Sequence, residues 1–332
     1  MKNILFIGGT GYIGGAVLSR FLEKNDPNLN ITALVRSVDK AEKLQALNMR
    51  LNIVFGSHKD AGLVEQIASA ADVVFSLADS DNLKAAESIL RGLKKRFETT
   101  GLKPTLLHMS GLGCLGDDAK GMFSSSTIYK DTDIAQIEAL PATQLHRNVD
   151  LAIVDADMQG YINSYIVLPG IVFGTPRGIL AEARVQNTTN LGFTSILSAS
   201  FARRAAGFVG EGKNRMAIVD VSETADLIET LYIAASANRT AHGKHGYYFA
   251  TNGDVSWEEI AEIVETRAGA RRPFTQEELG TYFSGSQPSL GDVLGNNARA
   301  DSERSRTLGW RPMKKSTDFL AAVRDEVEHW EI

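Results

Sequence analysis

A parallel, doubly wound α/β sheet with a smaller C-terminal lobe is predicted for this chain by three features. The first apolar run enters a glycine-rich turn and then a helix. Short apolar runs alternate with helical patterns through the first half. Those runs are apolar on both faces, as strands covered by helices on both sides must be.

The predicted strands are Asn3–Ile7, Ile31–Val35, Asn52–Phe55, Val73–Leu77 and Thr105–His108. After the first, Ile13, Val17, Leu18, Phe21 and Leu22 recur at helical spacing until Asn25-Asp26-Pro27 stops the helix. Between the fourth and fifth, Asp81–Thr99 carries Leu83, Ala86, Ile89, Leu90 and Leu93 on one face. Strands alternating with helices require right-handed crossovers and hence a parallel sheet. Past residue 120 the rhythm loosens. Tyr165–Val172, Met216–Val219 and Tyr247–Ala250 read as further strands and Glu223–Ala235 as a helix. Ser256-Trp257-Glu258-Glu259 is a capping box that opens a helix over Glu258–Arg267. Gln276–Asn297, rich in Gly, Ser and Asn, reads as loop, and Ser316–Glu328 as a last helix.

The bulk numbers exclude several functions. The 332 residues are 43% hydrophobic and 23% charged, an ordinary globular balance. A net charge of -5 without a concentrated basic run argues against nucleic acid or anionic lipid as partner. The single Cys114 excludes an internal disulfide framework and reads as a small core or loop residue in a reducing compartment. Ile4-Leu5-Phe6-Ile7 is too short for a signal-peptide core or a membrane span, so a cytoplasmic protein is expected, with no metal site.

Gly8, Gly11 and Gly14 have the spacing G-x-x-G-x-x-G directly between a strand and a helix. A tight turn out of the strand needs a residue without Cβ. A diphosphate needs bare backbone N–H groups and a helix N-terminus facing it. No Gly-Lys-Ser/Thr follows, which excludes a triphosphate-binding P-loop. About twenty residues on, NAD-binding proteins place a carboxylate on the ribose 2′-hydroxyl. Here the second strand ends Ala33-Leu34-Val35-Arg36-Ser37. Arg36 stands where a guanidinium could clamp a 2′-phosphate, which predicts NADP(H) over NAD(H); the alternative is an exposed loop arginine. Lys40, one turn later, either adds charge to that clamp or reads as surface, the second being favoured.

GGTGYIGG with ALVRS, then DVVFSLAD, HMSGLG and YIVLPGIVFGTPRG, resemble the extended and atypical short-chain dehydrogenase/reductase superfamily. The branch is its NAD(P)-binding, nucleoside-diphosphate-sugar-epimerase-like one, with a Rossmann-type sheet. VLPGIVFG is similar to that family's RPGxVYG strand, MAIVDVSETADLI to its V-x-D-x-A helix start, and NNARADSERSRTLGWRP to its C-terminal N-S-R…LGW-x-P segment. The likeness covers nearly the whole chain. Only the glycine turn is specific alone; the other motifs gain weight from their order.

The resemblance implies that Gly8, Thr10, Gly11, Tyr12, Ile13 and Gly14 line the pyrophosphate and that Ser57 and His58 flank the adenine. It places Leu77, Ala78 and Asp79 along the middle of the cofactor. Met109, Ser110, Pro169, Gly170 and Ile171 fall near the nicotinamide. It also implies a nucleotide-binding domain from 1–171 plus 216–251, and a substrate lobe from 172–215 plus 252–332.

Chemistry in this superfamily rests on Tyr-x-x-x-Lys, and no such pair precedes Tyr165. In its register stand His146-Arg147-Asn148-Val149-Asp150. Four-residue spacing would put imidazole and carboxylate on one helix face, His146 as proton donor with Asp150 holding its tautomer. The alternative is a helix-surface or ribose-contacting pair. Ser110 is the expected substrate-orienting hydroxyl, next to Gly111 where many relatives carry a second one. Tyr129 and Tyr161 are reserve donors.

The expected function is an NADPH-dependent oxidoreductase, acting on a carbonyl or activated double bond of a small molecule, as in secondary metabolism. An epimerase, isomerase or dehydratase using bound NADP is one alternative; a non-catalytic NmrA-like sensor of NADP(H), which also lacks the pair, is another. An apolar substrate is favoured over a nucleotide sugar, because Ile179–Arg204 has few stacking groups beyond Phe193 and Phe201, although Arg184, Arg203 and Arg204 leave the question open. A monomer or homodimer is expected. The resemblance implies pairing through the Asp81–Thr99 helix and the helix before Tyr165 as a four-helix bundle, although the apolar face of Asp81–Thr99 equally suits packing on the sheet.

Overall fold

A computed structural model describes residues 1–47, 49–283 and 293–330. The first half alternates strictly: β1 (Lys2–Ile7), α1 (Tyr12–Lys24), β2 (Leu29–Val35), α2 (Val38–Ala46), β3 (Asn52–Phe55), α3 (Ala61–Ala68), β4 (Val73–Ser76), α4 (Leu83–Thr100) and β5 (Thr105–Met109). Short polar side chains start the helices. Ser37, Asp60 and Asn82 accept from backbone amides three residues on. Asn25 and Gly101, both left-handed, end α1 and α4.

The second half is less regular: β6 (Tyr129–Lys130), α5 (Ile134–Glu138), α6 (Arg147–Met158), β7 (Asn163–Pro169), β8 (Ile171–Phe173), α7 (Ile179–Glu182), α8 (Leu191–Ala202), β9 (Gly207–Phe208), β10 (Arg215–Asp220), α9 (Val221–Ser236) and β11 (Tyr247–Ala250). β12 (Asp254–Ser256), α10 (Trp257–Ala268), β13 (Arg272–Pro273), α11 (Gln276–Phe283), β14 (Ala300–Asp301), α12 (Glu303–Thr307) and α13 (Ser316–Glu328) complete it.

Seven strands form one parallel sheet in the order β11-β7-β5-β4-β1-β2-β3. Alternate residues of each strand feed two cores. Leu5, Ile7, Val74, Leu106 and Ile166 pack with Val64, Ile89, Leu93 and Ile153 of α3, α4 and α6. Ile4, Phe6, Phe75, Leu107 and Tyr165 pack with Val17, Phe21, Ile228 and Leu231 of α1 and α9. Phe6 stacks on Phe75 at 4.5 Å, and Phe21 meets Phe6 edge-on at 5.4 Å. Burial on both faces is why these strands read as unbroken apolar runs.

The structure corrects two expectations. Tyr165–Val172 is not one strand: β7 ends at Pro169 and β8 joins a second sheet, β12-β10-β8. The chain changes sheets at Gly170, where a Cβ would stand 2.3 Å from the Ala217 carbonyl oxygen, so only glycine lets β10 approach. Met216–Val219 therefore pairs in the second sheet, while β11 returns to the edge of the first. Gln276–Asn297 is not loop throughout, since α11 occupies Gln276–Phe283. Its start is a reciprocal cap, Thr275 N–H to Glu278 Oε2 at 2.8 Å and Glu278 N–H to Thr275 Oγ1 at 3.1 Å. The Gly and Ser that suggested loop cluster at 284–291, within a stretch (284–292) that lies outside the described residues. The Ser256 capping box is present as expected, with Glu259 N–H to Ser256 Oγ at 3.1 Å and Ser256 N–H to Glu259 Oε2 at 2.7 Å. Among the described residues no helix is long and apolar enough to cross a membrane.

Two buried polar groups lock this arrangement. Asp131 accepts from the amides of Phe249 (3.1 Å), Arg304 (2.7 Å) and Ser305 (3.1 Å) and from the Ser305 hydroxyl (3.1 Å), fastening α12 to β11. His108 on β5 lies beside Ser76 on β4, with Nδ1 and Oγ 3.3 Å apart. Burial, and then the positive ring of nearby His146, push the His108 pKa down to about 3. Substituting Asp131→Asn turns a donor toward these donors and should cost about 2–4 kcal/mol in urea unfolding. His108 is neutral in the fold but protonates near 6.5 when unfolded, so its stabilisation is complete above that pH and is lost on acidification toward pH 3. Wild type should lose up to about 2 kcal/mol between pH 7.5 and 5 that a His108→Asn variant does not lose, by paired urea titrations.

Candidate functional site

The site begins where β1 ends. Gly8 has φ +93°, and a Cβ on it would lie 2.6 Å from the backbone of Leu77 at the end of β4. A Cβ on Gly14 would lie 2.2 Å from the Gly8 carbonyl oxygen, which itself accepts the Gly11 N–H at 2.9 Å. Two of the three glycines thus permit close backbone contacts, and the turn admits no larger residue at either place. Gly11 caps α1 with no side-chain bond, and the first turn holds no acidic residue. The leading amides of α1 are left for an anion.

A cavity of about 440 Å³ opens over this turn. Gly8, Thr10, Gly11, Arg36, His58, Leu77 and Ala78, all expected at the cofactor, are among its lining residues. Among the described residues, none that lines it is Asp or Glu. The donor set fits a diphosphate: amides at the turn, cations at the far end and an apolar slot between Leu34 and Leu77. Other expected residues are arranged differently. Tyr12 and Ile13 belong to the turn by backbone alone. The Tyr12 hydroxyl points away and donates to the Gly174 carbonyl at 2.5 Å. Ser57 accepts from the Lys59 amide at 3.2 Å, and Asp79 sits 3.5 Å from His58 Nε2. Met109, Ser110, Pro169, Gly170 and Ile171 gather at the carboxyl ends of β5 and β7, where a doubly wound sheet binds its ligands. The Ser110 amide donates to Val167 O at 2.8 Å.

Three contributors were missed. Lys40 is no mere surface charge: it lines the cavity, and its ammonium donates to Asn187 Oδ1 at 2.7 Å and Thr10 O at 3.2 Å. Burial, and then Arg36 beside it, lower its pKa. Its place four residues after Arg36 was the available signal. Asn187 also lines the cavity, and the buried Gln186 amide donates to Tyr12 O at 2.6 Å and packs on Gly15. Both come from a segment remote in sequence, with no local pattern to betray them.

The His146–Asp150 pairing is overturned. His146 does not lie inside a helix; it precedes α6 in a left-handed conformation, φ 65°. That turn sets its ring on Asp81, not on Asp150: Asp81 Oδ1 accepts the ring Nδ1–H at 2.8 Å and the backbone N–H at 3.2 Å. With Nδ1 donating to a carboxylate, Nε2 is free to exchange a proton. Nε2 occupies the space beside Gly111, where a Cβ would stand 2.9 Å away. A side chain at position 111 would collide with this imidazole. Asp150 is buried and accepts from Ser110 Oγ at 3.1 Å. Burial pushes its pKa up to about 6, against the opposing Ser110 hydrogen bond and the charges of His146 and Arg147. Arg147 is buried beside it and donates to the Tyr247 hydroxyl at 2.6 Å. Tyr129 is half-buried on β6, paired with β14, and burial raises its pKa. Tyr161 precedes β7, at the opposite end of the sheet from Ser110, beside Lys94. Cys114 is buried, and its thiol is pushed up by burial, as a packing residue requires. No cluster of three or more metal-ligating side chains occurs among the described residues.

Residues 1–95 match the NmrA-like family. The chain is 27% identical over 333 residues to Oxidase ucsJ from Acremonium sp, covering 94% of this chain and 93% of that one. Its fold is similar to dTDP-glucose 4,6-dehydratase DesIV from Streptomyces venezuelae, solved with NAD (TM-score 0.63, 16% identity, 98% and 97% of the two chains). It is equally similar to UDP-glucuronic acid 4-epimerase from Bacillus cereus, solved with UDP-glucuronic acid and NAD (TM-score 0.63, 14% identity, 98% and 99%). These likenesses show the fold: a Rossmann-type α/β sheet with a glycine turn after its first strand, as in the NAD-bound dehydratase and epimerase structures.

Proposed function

We propose that this chain is an NADP(H)-dependent oxidoreductase that reduces a carbonyl or activated double bond of a small organic substrate. One observation carries the cofactor choice. The end of the cleft beyond β2 presents Arg36, Ser37 and Lys40 and no carboxylate, which suits a 2′-phosphate and leaves a bare 2′-hydroxyl without its usual acceptor. A nicotinamide held in this cleft would supply the hydride. Among this chain's residues, His146 Nε2 gives the proton to the substrate oxygen, leaving neutral imidazole that solvent reprotonates. Asp81 holds the ring on Nδ1 throughout. Asp150 fixes the Ser110 hydroxyl beside that position. The relative named an oxidase supports redox chemistry.

A second reading, a regulator that binds NADP(H) without turnover, is favoured by the NmrA-like match of residues 1–95 and by the missing Tyr-x-x-x-Lys pair.

Titration calorimetry with NADPH and NADH tests the cofactor. Wild type should prefer NADPH, and Arg36→Ala should weaken NADPH by about 10–100-fold while sparing NADH; equal affinities in wild type would refute the clamp. Steady-state NADPH oxidation across a panel of aldehydes, ketones and enones separates the two readings. His146→Gln should slow turnover about 10²–10⁴-fold at unchanged NADPH affinity. Tight binding with no turnover of any panel member would favour the regulator.

A further inference from the structure

A second cavity, about 480 Å³, lies on the other side of Tyr12 from the cofactor cleft. Its size is that of a pocket for a small organic molecule. The wall between the two is short: Thr10 and Asn187 face the cleft, while Tyr12 and Thr188–Asn190 face the cavity. The cavity starts at Val172, directly after the Pro169–Ile171 stretch at the carboxyl end of β7.

The chemistry of the lining is lopsided. Its floor is an aromatic box, with Phe319 edge-on to both Phe173 (5.3 Å) and Phe193 (5.9 Å). Its mouth carries two carboxylates, Asp325 and Glu326, and no lining residue among those described is Lys or Arg. The one lining imidazole, His329, stands 3.3 Å from Asp325. Lys314, close to Gly174, is taken by Asp220 at 2.5 Å. Glu326 makes no hydrogen bond or ion pair among the described residues, and burial raises its pKa, with the Asp325 charge adding to this. A half-buried carboxylate without a cation is costly, and an anionic ligand would add repulsion to that cost. A diphosphate, the charged part of a nucleotide sugar, finds no guanidinium or ammonium among the described lining residues.

We propose that this cavity is the substrate pocket and that it takes an apolar, ring-bearing molecule with an amine directed at Glu326, and not a nucleotide sugar or a carboxylic acid. The assignment rests on the oxidoreductase reading for its role. The charge and shape of the cavity select the class: the Phe box holds the ring and Glu326 receives the ammonium.

Three indoles of nearly one shape separate the possibilities: tryptamine (cation), indole-3-ethanol (neutral) and indole-3-acetate (anion). Each is titrated by saturation-transfer NMR into the protein with and without saturating NADP⁺, alongside UDP-glucose. Tryptamine should bind about tenfold more tightly than the alcohol, with the acetate and UDP-glucose weaker than both. Glu326→Gln should erase the tenfold advantage of the amine and leave the alcohol unchanged. Ala322→Trp, which fills the cavity, should abolish binding of all three at unchanged NADP⁺ affinity. The proposal is overturned if the acetate or UDP-glucose binds as tightly as tryptamine, if Glu326→Gln leaves the ranking intact, if Ala322→Trp leaves binding intact, or if neither amine nor alcohol binds. The expected ranking without NADP⁺ uptake would sink the oxidoreductase reading alone. NADP⁺ uptake without the ranking would sink the pocket assignment alone.

Discussion

The whole site depends on two strand ends coming into backbone contact. Gly8 leaves β1 with a positive φ, against Leu77 at the end of β4, and α1 then starts with Gly14 pressed on the Gly8 carbonyl. This crowding excludes side chains from the mouth of the first crossover, so that the surface presented to an anion is backbone N–H and the positive end of a helix. Everything else is arranged around that surface. The sheet order places β1 and β4 side by side, the phenylalanines behind them hold α1 down, and Gln186 braces the turn from outside.

Charge is sorted across a thin partition. On the turn side, Arg36 and Lys40 stand together with no carboxylate among the described lining residues. On the far side, Asp325 and Glu326 stand with no ammonium or guanidinium among the described lining residues. The partition is made of Tyr12 and residues 186–190, tied to the turn by the Lys40 and Gln186 hydrogen bonds. Two ligands of opposite charge preference could therefore sit close together without competing, and each would meet the other's wall. Tyr12 suits a wall better than an acid: burial, with Asp220 and Glu326 nearby, raises its pKa, and its proton is committed to Gly174 O.

The corner at the carboxyl ends of β5 and β7 is built from small polar groups. His146 is held twice by Asp81, Asp150 is held by Ser110, and Gly111 makes room for the ring. The left-handed backbone at His146 is tolerated because a single carboxylate oxygen satisfies both its amide and its ring. Such a device joins the loop after β4 to the start of α6, so the corner is braced across 65 residues of chain.

From the residues alone, the strands, the crossovers, the glycine turn, Arg36 and the loss of the Tyr-Lys pair could be read, because each is written in local spacing: apolar runs, G-x-x-G-x-x-G, a missing carboxylate. Four-residue spacing misled at His146 and Asp150, since periodicity assumes a helix and one left-handed residue redirects a side chain. Composition misled at Gln276–Phe283, where nearby Gly and Ser concealed a reciprocal cap. Strand continuity misled at Gly170, where contact with a strand over forty residues away splits one run between two sheets. Asn187, Asp81 and the acidic mouth around Glu326 had no local signature at all. They depend on segments brought together from distant parts of the chain, and proximity of that kind is set by packing, which only the folded structure decides.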